Sequence, residues 1–342
     1  MASYMADPVI GSSGGEPSNQ RGDMDEVDGS RESENVDEGF TCRIDSVRDV
    51  TDVLSCLGSG AKKDVICLIE ATQQKLVFKV IGRSKATQAR LTLSADLFDD
   101  YQCGVCTRNT SDMQTNDEVK DDDDTVKLSL NLVGLLDCLQ LFGSSDTAAA
   151  TMTYQPMDAL FRLSLEEGGI LTTCDLNSLY VDDDDDELQG GGLFSAFLDD
   201  EEVCAVLLRS QSLREVMQEL FEAASGAETV RIEVSERGLG FATVGTGEAS
   251  CEIFLSAPPS GIQPPNGDVY LDPMRCNLDP KGSVGTWEYP LGSLQLAMKA
   301  LGVANETFLR INLEGLMAVQ HMVEGRVSKD IFLDFVLVQW GD

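Results

Sequence analysis

One pattern recurs four times along this sequence and limits the folds that the chain can adopt. Each copy has a short alternating strand, an apolar helix of about ten to fourteen residues, a glycine, and then several further strands. The predicted helices begin near residues 47, 131, 212 and 292, so the repeat is about 80 to 85 residues long once insertions are allowed. Spacing this regular is not expected by chance. It predicts a two-domain binding protein built from four diverged copies of one unit.

Apolar spacing and capping residues identify the helices. The valines and leucines within 47–57 keep the three-and-four spacing of one helical face. Asn131 is well placed as the N-cap of the second helix, and Ser212 with Glu215 forms a capping-box signature in the third. These signals predict four amphipathic helices, one in each unit.

Period-two alternation predicts the strands that precede and follow each helix. Glycine-containing turn signals at 167–169 and 236–238 separate neighbouring strands. Antiparallel sheets with helices on one face follow from this order, which is an α+β class. The strands are predicted at 40–44, 65–69, 75–81, 88–93, 126–130, 151–154, 160–165, 170–176, 203–208, 230–234, 239–244, 251–255, 286–289, 307–313, 316–322 and 331–338.

Changes in composition predict the domain boundaries. Residues 1–39 are rich in Gly, Ser, Glu and Asp, and they hold too little apolar surface to offset the entropy of ordering, so they are predicted to be a disordered acidic tail. We predict an N-terminal domain at 40–176 with a polar insertion at 104–124, an inter-domain linker at 177–202 and a C-terminal domain at 203–342.

The formal net charge of −34 and the pI near 4.1 argue against a protein that grips nucleic acid with its whole surface. Much of the excess lies in the tail and in the aspartate runs at 121–124 and 182–186, which are typical of solvated loops. A local basic face or a ring lumen stays compatible with this charge. Charge alone therefore does not exclude DNA as a partner.

The start of the chain carries no secretory signal, and no apolar stretch approaches the length needed to span a bilayer. The 10 cysteines are then best interpreted as reduced thiols, most of them in the core. The sequence thus predicts a protein of the cytosol or nucleus with no membrane contact.

Catalytic candidates are few. His321 is the single histidine, and an apolar alternating strand favours a structural role for it. Cys103 and Cys106 form a lone C-x-x-C pair with no second pair at zinc spacing. Consecutive aspartates in a loop supply charge without the fixed geometry of a two-metal site, and the glycines at 190–192 lack the Lys-Ser/Thr of a phosphate loop. We expect no enzyme, no metal and no cofactor.

Basic residues are scarce, so their positions matter. Arg48 lies in the first predicted helix, Arg209 and Arg214 lie at the start of the third, and Lys299 lies in the fourth. Taken alone, these charges are typical of ordinary solvent-facing helix residues.

Several segments add a family resemblance. Four strand-helix-strands units in two similar domains joined by a long linker resemble the DNA sliding clamps. The segments 135–145 and 165–169 resemble the Rad-one family of subunits of the heterotrimeric 9-1-1 checkpoint clamp, as do the helix starts at 46–48 and 210–215. The resemblance covers about residues 40 to 342, and the acidic tail and the 104–124 insertion depart from it.

The resemblance implies a sliding-clamp fold, with antiparallel sheets outside and helices lining the DNA hole. It implies a non-catalytic subunit of a heterotrimeric ring in the nucleus, which encircles DNA at damage sites, supports checkpoint signalling and recruits repair factors. The implied partners are two different clamp subunits, a clamp loader, double-stranded DNA bound without sequence specificity, and DNA repair and checkpoint proteins.

The resemblance also assigns roles to residues. Arg48, Arg214 and Lys299 would face the lumen and attract phosphates without reading bases. Leu193, Phe194 and Phe197 in the linker would border a groove for partner peptides. Two edge strands would pair with the neighbouring subunits through main-chain groups. The edge residues are Ile170, Thr172, Cys174 and Leu176 in the first domain and Cys251, Ile253 and Leu255 in the second.

Two alternatives remain at this point. One is a 3'-to-5' DNA exonuclease, an activity proposed within the family, which would need a cluster of carboxylates on regular elements. The other is a replication processivity clamp that assembles from three identical chains.

Overall fold

A computed structural model of the chain describes residues 39–58, 65–82, 85–104, 125–142, 145, 147–179, 192–235, 237–246, 250–256, 269–271, 283–324 and 330–341. Residues 1–38 of the predicted tail, residues 105–124 of the predicted insertion and the aspartate run at 182–186 lie outside them. The described residues all belong to one compact unit, Val36–Asp342.

The four predicted helices are confirmed, and a further helix lies in the predicted linker. Gly192, the last of the three linker glycines at 190–192, is the first residue of this extra helix. The described residues form α1 (Val47–Cys56), α2 (Leu132–Leu139), α3 (Gly192–Leu198), α4 (Ser210–Glu222) and α5 (Leu291–Met298), and a 3-10 turn at Lys299–Gly302 continues α5.

One predicted cap is confirmed and one is wrong. The Asn131 side-chain oxygen accepts a hydrogen bond from the Gly134 N–H at 3.0 Å, which satisfies a free donor in the first turn of α2. The capping box at Ser212 is wrong because α4 already begins at Ser210. The Ser210 N–H donates to the Asn305 carbonyl at 2.9 Å, so a contact remote in sequence fixes the start of this helix.

Strands occupy every predicted position, and two short strands, β5 and β14, were not predicted. Both lie at the ends of sheets and border polar sequence, where alternation is too short to detect. The strands are β1 (Gly39–Ile44), β2 (Ile66–Ala71), β3 (Lys75–Ile81), β4 (Thr87–Ser94), β5 (Asp100–Gly104), β6 (Val126–Asn131), β7 (Ala149–Gln155), β8 (Leu160–Glu167), β9 (Ile170–Asn177), β10 (Glu202–Arg209), β11 (Ala227–Ser235), β12 (Gly238–Gly245), β13 (Glu252–Ser256), β14 (Val269–Leu271), β15 (Ser283–Pro290), β16 (Glu306–Asn312), β17 (Met317–Glu324) and β18 (Asp330–Leu337).

The strands form three antiparallel sheets. A five-stranded sheet has the order β5-β1-β7-β8-β9, and a four-stranded sheet has the order β13-β12-β11-β15. The third sheet has nine strands in the order β14-β10-β16-β17-β18-β4-β3-β2-β6. Antiparallel sheets with few helices confirm the predicted α+β class.

Each helix carries the chain from one sheet to another. The strand before a helix pairs with a strand that follows the other helix of the same half: β1 pairs with β7, β6 with β2, β10 with β16, and β15 with β11. Both halves of the chain therefore have the same arrangement. The pairing of β4 with β18 joins the halves into one sheet, and the predicted domain boundaries stay a prediction.

Helices cover both faces of the nine-stranded sheet. On its inner face, apolar side chains such as Phe78 and Phe335 share one core with the helices and the other two sheets. On the outer face, Phe197 of α3 packs against Ala318 and Val336, whose neighbours along the strands point into the main core. Among the described helices, none is long and apolar enough to span a membrane.

Candidate functional site

The four helices of the repeat form one continuous layer. They pack side by side in the order α2, α1, the 3-10 turn that continues α5, and α4. The layer carries Arg48 on α1, Arg214 on α4 and Lys299 in the 3-10 turn, which are the three basic residues that the family resemblance assigned to a lumen.

Acidic side chains outnumber these basic ones within the same elements. The four helices and the 3-10 turn contain three basic residues against six acidic ones, a net charge of −3. Arg48 forms an ion pair with Asp52 at 3.5 Å, which offsets part of its charge. The layer of this chain alone is thus not a strongly basic surface.

Lys299 ties the two halves of the helix layer together. Its Nζ donates hydrogen bonds to the carbonyl oxygens of Ser55 and Gly58, the latter at 2.9 Å, at the carboxyl end of α1. A cation at this position satisfies free carbonyls and complements the helix dipole. Lys299 therefore has a structural role besides any contact with phosphate.

Arg214 and Lys299 also line one shallow groove of about 350 Å³ between α4 and α5. Its apolar residues include Met217, Phe221 and Met298. The long basic side chains thus stand beside apolar surface, and the charged end of Lys299 is held at the end of α1.

The two predicted edge strands do lie at the ends of sheets. β9 is the last strand of the five-stranded sheet, and β13 is the last strand of the four-stranded sheet. Main-chain hydrogen bonds from described residues reach each of these strands on one side only. Unpaired edges of this kind are templates for another strand. Whether they form subunit interfaces stays a prediction.

Two other sheet ends are covered by the chain itself. The Leu179 N–H donates to the Ser129 carbonyl of β6 at 2.7 Å, and the Trp340 N–H donates to the Glu288 carbonyl of β15 at 2.7 Å. The end strands β5 and β14 are, like β9 and β13, paired on one side only within the described residues.

The predicted edge residues differ in their surroundings. Ile170, at the β8–β9 turn, is exposed, whereas Leu176 packs towards α2. Cys251, predicted within the second edge, lies just before β13, where its N–H donates to the Thr243 hydroxyl at 2.8 Å. Thr172 and Cys174 lie on the same face of β9 as Leu176, and Ile253 and Leu255 lie within β13 as predicted.

The three residues assigned to a peptide groove lie on α3 and pack onto the sheet. Phe197 is buried, and Leu193 and Phe194 pack against the same cluster. The Leu193 N–H donates to the Gln88 side-chain oxygen at 2.9 Å, which anchors the start of α3 on β4. The role of these residues in binding a partner peptide stays a prediction.

A polar network beneath α3 links the two halves and was missed by sequence reasoning. Arg90 on β4 donates to one Asp334 oxygen of β18 at 3.0 and 3.2 Å, and Gln320 on β17 donates to the other oxygen at 2.7 Å. The Arg90 guanidinium also lies 4.2 Å from the ring centre of Phe194. Arg90 and Asp334 are far apart in sequence, so no local pattern shows their contact.

The structural role predicted for His321 is confirmed. The ring is fully buried, and both nitrogens have hydrogen-bond partners, Thr307 at Nδ1 and the Ala297 carbonyl at Nε2. Burial lowers its pKa to about 4, so the ring is neutral at physiological pH. A buried neutral imidazole with both nitrogens occupied has no access to a substrate.

The other chemical candidates give no assembled site among the described residues. These residues contain no group of three or more His, Cys, Asp or Glu side chains placed to hold a metal ion. Cys103 is half-buried in β5, whereas Cys106 and both aspartate runs lie outside the described residues.

Comparison with known proteins gives a consistent result. Residues 39–323 match the family described as repair protein Rad1/Rec1/Rad17. The chain is similar to the cell cycle checkpoint protein RAD1 of Homo sapiens, with 22% identity over 85% of this chain and 88% of that protein. The protein of the same name from Mus musculus is 23% identical over 85% of this chain and 89% of its own length.

Proposed function

The chain belongs to the family of repair proteins Rad1/Rec1/Rad17, and from that premise we propose that it is a non-catalytic subunit of a heterotrimeric ring clamp. The ring would encircle DNA at damage sites in the nucleus, support checkpoint signalling and recruit repair factors. The relatives named as cell cycle checkpoint proteins support this role over the exonuclease alternative.

The observation that carries the proposal is the pair of open edges on β9 and β13. They belong to different sheets in different halves of the chain, and each is unpaired on one side within the described residues. One edge at each end is what a subunit needs to join two neighbours by head-to-tail contacts that close a ring.

The charge of the helix layer supports a ring that retains DNA by enclosing it rather than by binding it tightly. Because the layer carries a net charge of −3, Arg48, Arg214 and Lys299 would give only weak, salt-sensitive contact with phosphates. Most of the positive charge in the ring would then come from the two partner subunits. The enclosed DNA is retained by the closed ring and stays free to slide.

The outer face of the nine-stranded sheet is the surface proposed for repair and checkpoint proteins. α3 lies on this face, with Leu193 and Phe194 only partly buried, so a partner peptide would pack beside the helix. A clamp loader would open the ring and place it on DNA.

Assembly with purified partners tests the proposal. We expect this chain to be monomeric alone by light scattering and to give a 1:1:1 complex when mixed with the two other subunits of a checkpoint clamp. The loaded complex should stay on closed circular DNA and slide off the same DNA after it is linearised.

A matched pair of variants tests the open edge of β9. Leu171 is 68% exposed on that strand, and Leu171→Lys should weaken assembly by about tenfold or more because it places a charge in the contact. Met157 is 89% exposed in the β7–β8 turn, and Met157→Lys should assemble like the parent chain.

Two results would contradict the proposal. A stable homotrimer of this chain alone would favour the processivity clamp. Magnesium-dependent degradation of DNA by highly purified chain, abolished by a single Asp or Glu substitution, would favour the exonuclease.

A further inference from the structure

The shallow groove between α4 and α5 brings basic and apolar side chains together on the helix layer. It has a volume of about 350 Å³. Four exposed polar side chains form its rim, and four apolar side chains form its floor. The rim consists of Arg214 and Gln218 from α4 with Gln295 and Lys299 from α5 and the 3-10 turn, and the floor consists of Met217, Phe221, Met298 and Leu301.

The lining of the groove is positively charged, although the helix layer as a whole has a net charge of −3. The residues of α4 that line it recur at intervals of three and four positions, so they share one face of the helix. Each glutamate of α4 follows one of these residues by one position and therefore lies about 100° further round the helix. The three are Glu215, Glu219 and Glu222. Among the described residues, no acidic side chain lines the groove.

Both cations of the rim have donors for an anion. Within the part of the chain that the structure describes, the Arg214 side chain has no hydrogen bond or ion pair. The Lys299 ammonium uses two of its three N–H donors for the carbonyls of Ser55 and Gly58, so one donor remains. A phosphate at the rim would thus meet a guanidinium from one helix and an ammonium from the other.

The floor offers one accessible aromatic surface. Met217, Met298 and Leu301 are buried, whereas Phe221 is only half-buried. A planar ligand would stack on the exposed part of this ring. At the rim, the Gln218 amide nitrogen donates to Glu222 at 3.0 Å, which leaves its carbonyl oxygen as an acceptor for the edge of such a ligand.

From this combination we propose that the groove between α4 and α5 binds one unpaired nucleotide of single-stranded DNA. The base lies on Phe221, and its phosphate contacts Arg214 and Lys299. A nucleotide joins a planar aromatic face to an anion, and these are the two features that the floor and the rim complement. Because every base has a face that can stack, the site accepts all four bases.

The groove selects an unpaired base because a duplex hides the faces of its bases. Moving a paired base out of the stack costs free energy, whereas a base in a single-stranded gap needs no such step. The inference rests on the proposed function for its setting, since a ring would hold this groove beside the DNA that it encloses. Binding of the nucleotide is nevertheless a property of this chain and can be measured without a ring.

Photo-crosslinking of the full chain to DNA tests the proposal. The probe is a single strand of about ten nucleotides with one 5-iododeoxyuridine. Low salt is needed because the net charge of −34 repels DNA, and low salt strengthens the local contact with phosphate. We expect the base to link to Phe221 or to a neighbouring floor residue, as located by mass spectrometry. The same strand in a duplex should link at least about tenfold less.

Two matched pairs of variants test the floor and the rim by fluorescence anisotropy of a labelled strand. Phe221→Leu should lower the affinity about fivefold because it removes the ring and keeps an apolar floor. Phe254→Leu makes the same change on β13, where the ring is 45% exposed, and should bind like the parent. Arg214→Ala should weaken binding about threefold and lower its salt dependence, whereas Arg237→Ala, at the exposed β11–β12 turn, should do neither.

Three results would overturn the proposal. They are links spread over the surface or concentrated at Phe254, equal linking of single strand and duplex, and tighter binding of a synthetic acidic peptide of residues 1–38 in the groove than of DNA. The link position in the parent chain decides the question even where Phe221→Leu folds poorly. A chain that binds the strand but joins no ring contradicts the proposed function alone, and a chain that joins a ring without binding the strand contradicts this inference alone.

Discussion

The Nε2 nitrogen of His321 donates a hydrogen bond to the main-chain carbonyl oxygen of Ala297 at 2.9 Å. Because a carbonyl only accepts, Nε2 carries the proton and Nδ1 accepts from the Thr307 hydroxyl. The Thr307 oxygen in turn accepts from the Ser210 hydroxyl at 2.8 Å. This chain of bonds joins β17, β16 and the starts or ends of two helices, and it requires a neutral imidazole.

We expect the chain to lose stability as the pH falls from about 6.5 towards 4. The unfolded chain binds a proton at His321 near the ordinary pKa of 6.5, whereas the folded site holds this pKa at about 4. The stabilisation that comes from holding His321 neutral is therefore fully present above pH 6.5. As the pH falls from 6.5 to about 4, the free energy of unfolding decreases by up to about 3 kcal/mol. Urea unfolding at a series of pH values measures this loss.

The variant His321→Gln is the control, because it removes the only histidine of the chain. It should be less stable than the parent at neutral pH by about 2 kcal/mol, and its stability should change less between pH 6.5 and 5. Equal pH slopes for the two chains would contradict the buried neutral state of His321.

The side chain of Asp334 is only 10% exposed, so its partners Arg90 and Gln320 matter for stability. Asp334→Ala should lower the free energy of unfolding by about 2 kcal/mol, a figure reduced by the partial exposure of Arg90. A double-mutant cycle with Arg90→Ala should give a coupling energy of about 1 kcal/mol. If the two substitutions lowered the free energy of unfolding by strictly additive amounts, the ion pair would contribute nothing to the contact between the halves.

The regular parts of this fold follow from local sequence. Alternation and three-and-four spacing locate the four helices and most strands, since each depends on which residues of a short segment are apolar. The start of α4 was misplaced because the hydroxyl of Ser210 bonds Thr307, which lies 97 residues away. Contacts between segments that are distant in sequence cannot be predicted from local sequence patterns.

The candidate site was likewise predictable from local sequence only in part. Arg48, Arg214 and Lys299 stand out as scarce basic residues on predicted helices of an acidic chain, and the family resemblance assigns them to a lumen. The partners that restrain them were not found: the bonds from Lys299 to Ser55 and Gly58 cross 244 and 241 positions. Helix α3 was missed because its short apolar run sits between aspartate-rich segments, and it is ordered by packing on the sheet rather than by its own propensity.

Phe197 and Leu198 are neighbours on α3 with opposite exposure, 4% and 72%. Phe197→Ala should cost about 2 kcal/mol, less than for a central core position, because the cluster beneath α3 is small. Leu198→Ala should change stability by less than about 0.5 kcal/mol. Amide hydrogen exchange in α3 should be faster in Phe197→Ala but not in Leu198→Ala. Equal exchange rates in the two variants would contradict the packing of Phe197 against the sheet.

Arg214 and Lys299 line the same groove but should respond differently to removal. Lys299→Ala deletes the bonds to the end of α1 and should lower stability by about 1 kcal/mol, whereas Arg214→Ala should be nearly neutral in the isolated chain. In the assembled ring, each variant should weaken DNA binding modestly and reduce the salt dependence by about one phosphate contact. Urea unfolding and DNA titration at several salt concentrations measure the two effects separately. If the salt dependence of DNA binding were unchanged in both variants, the proposed location of these residues on the DNA-facing surface would be contradicted.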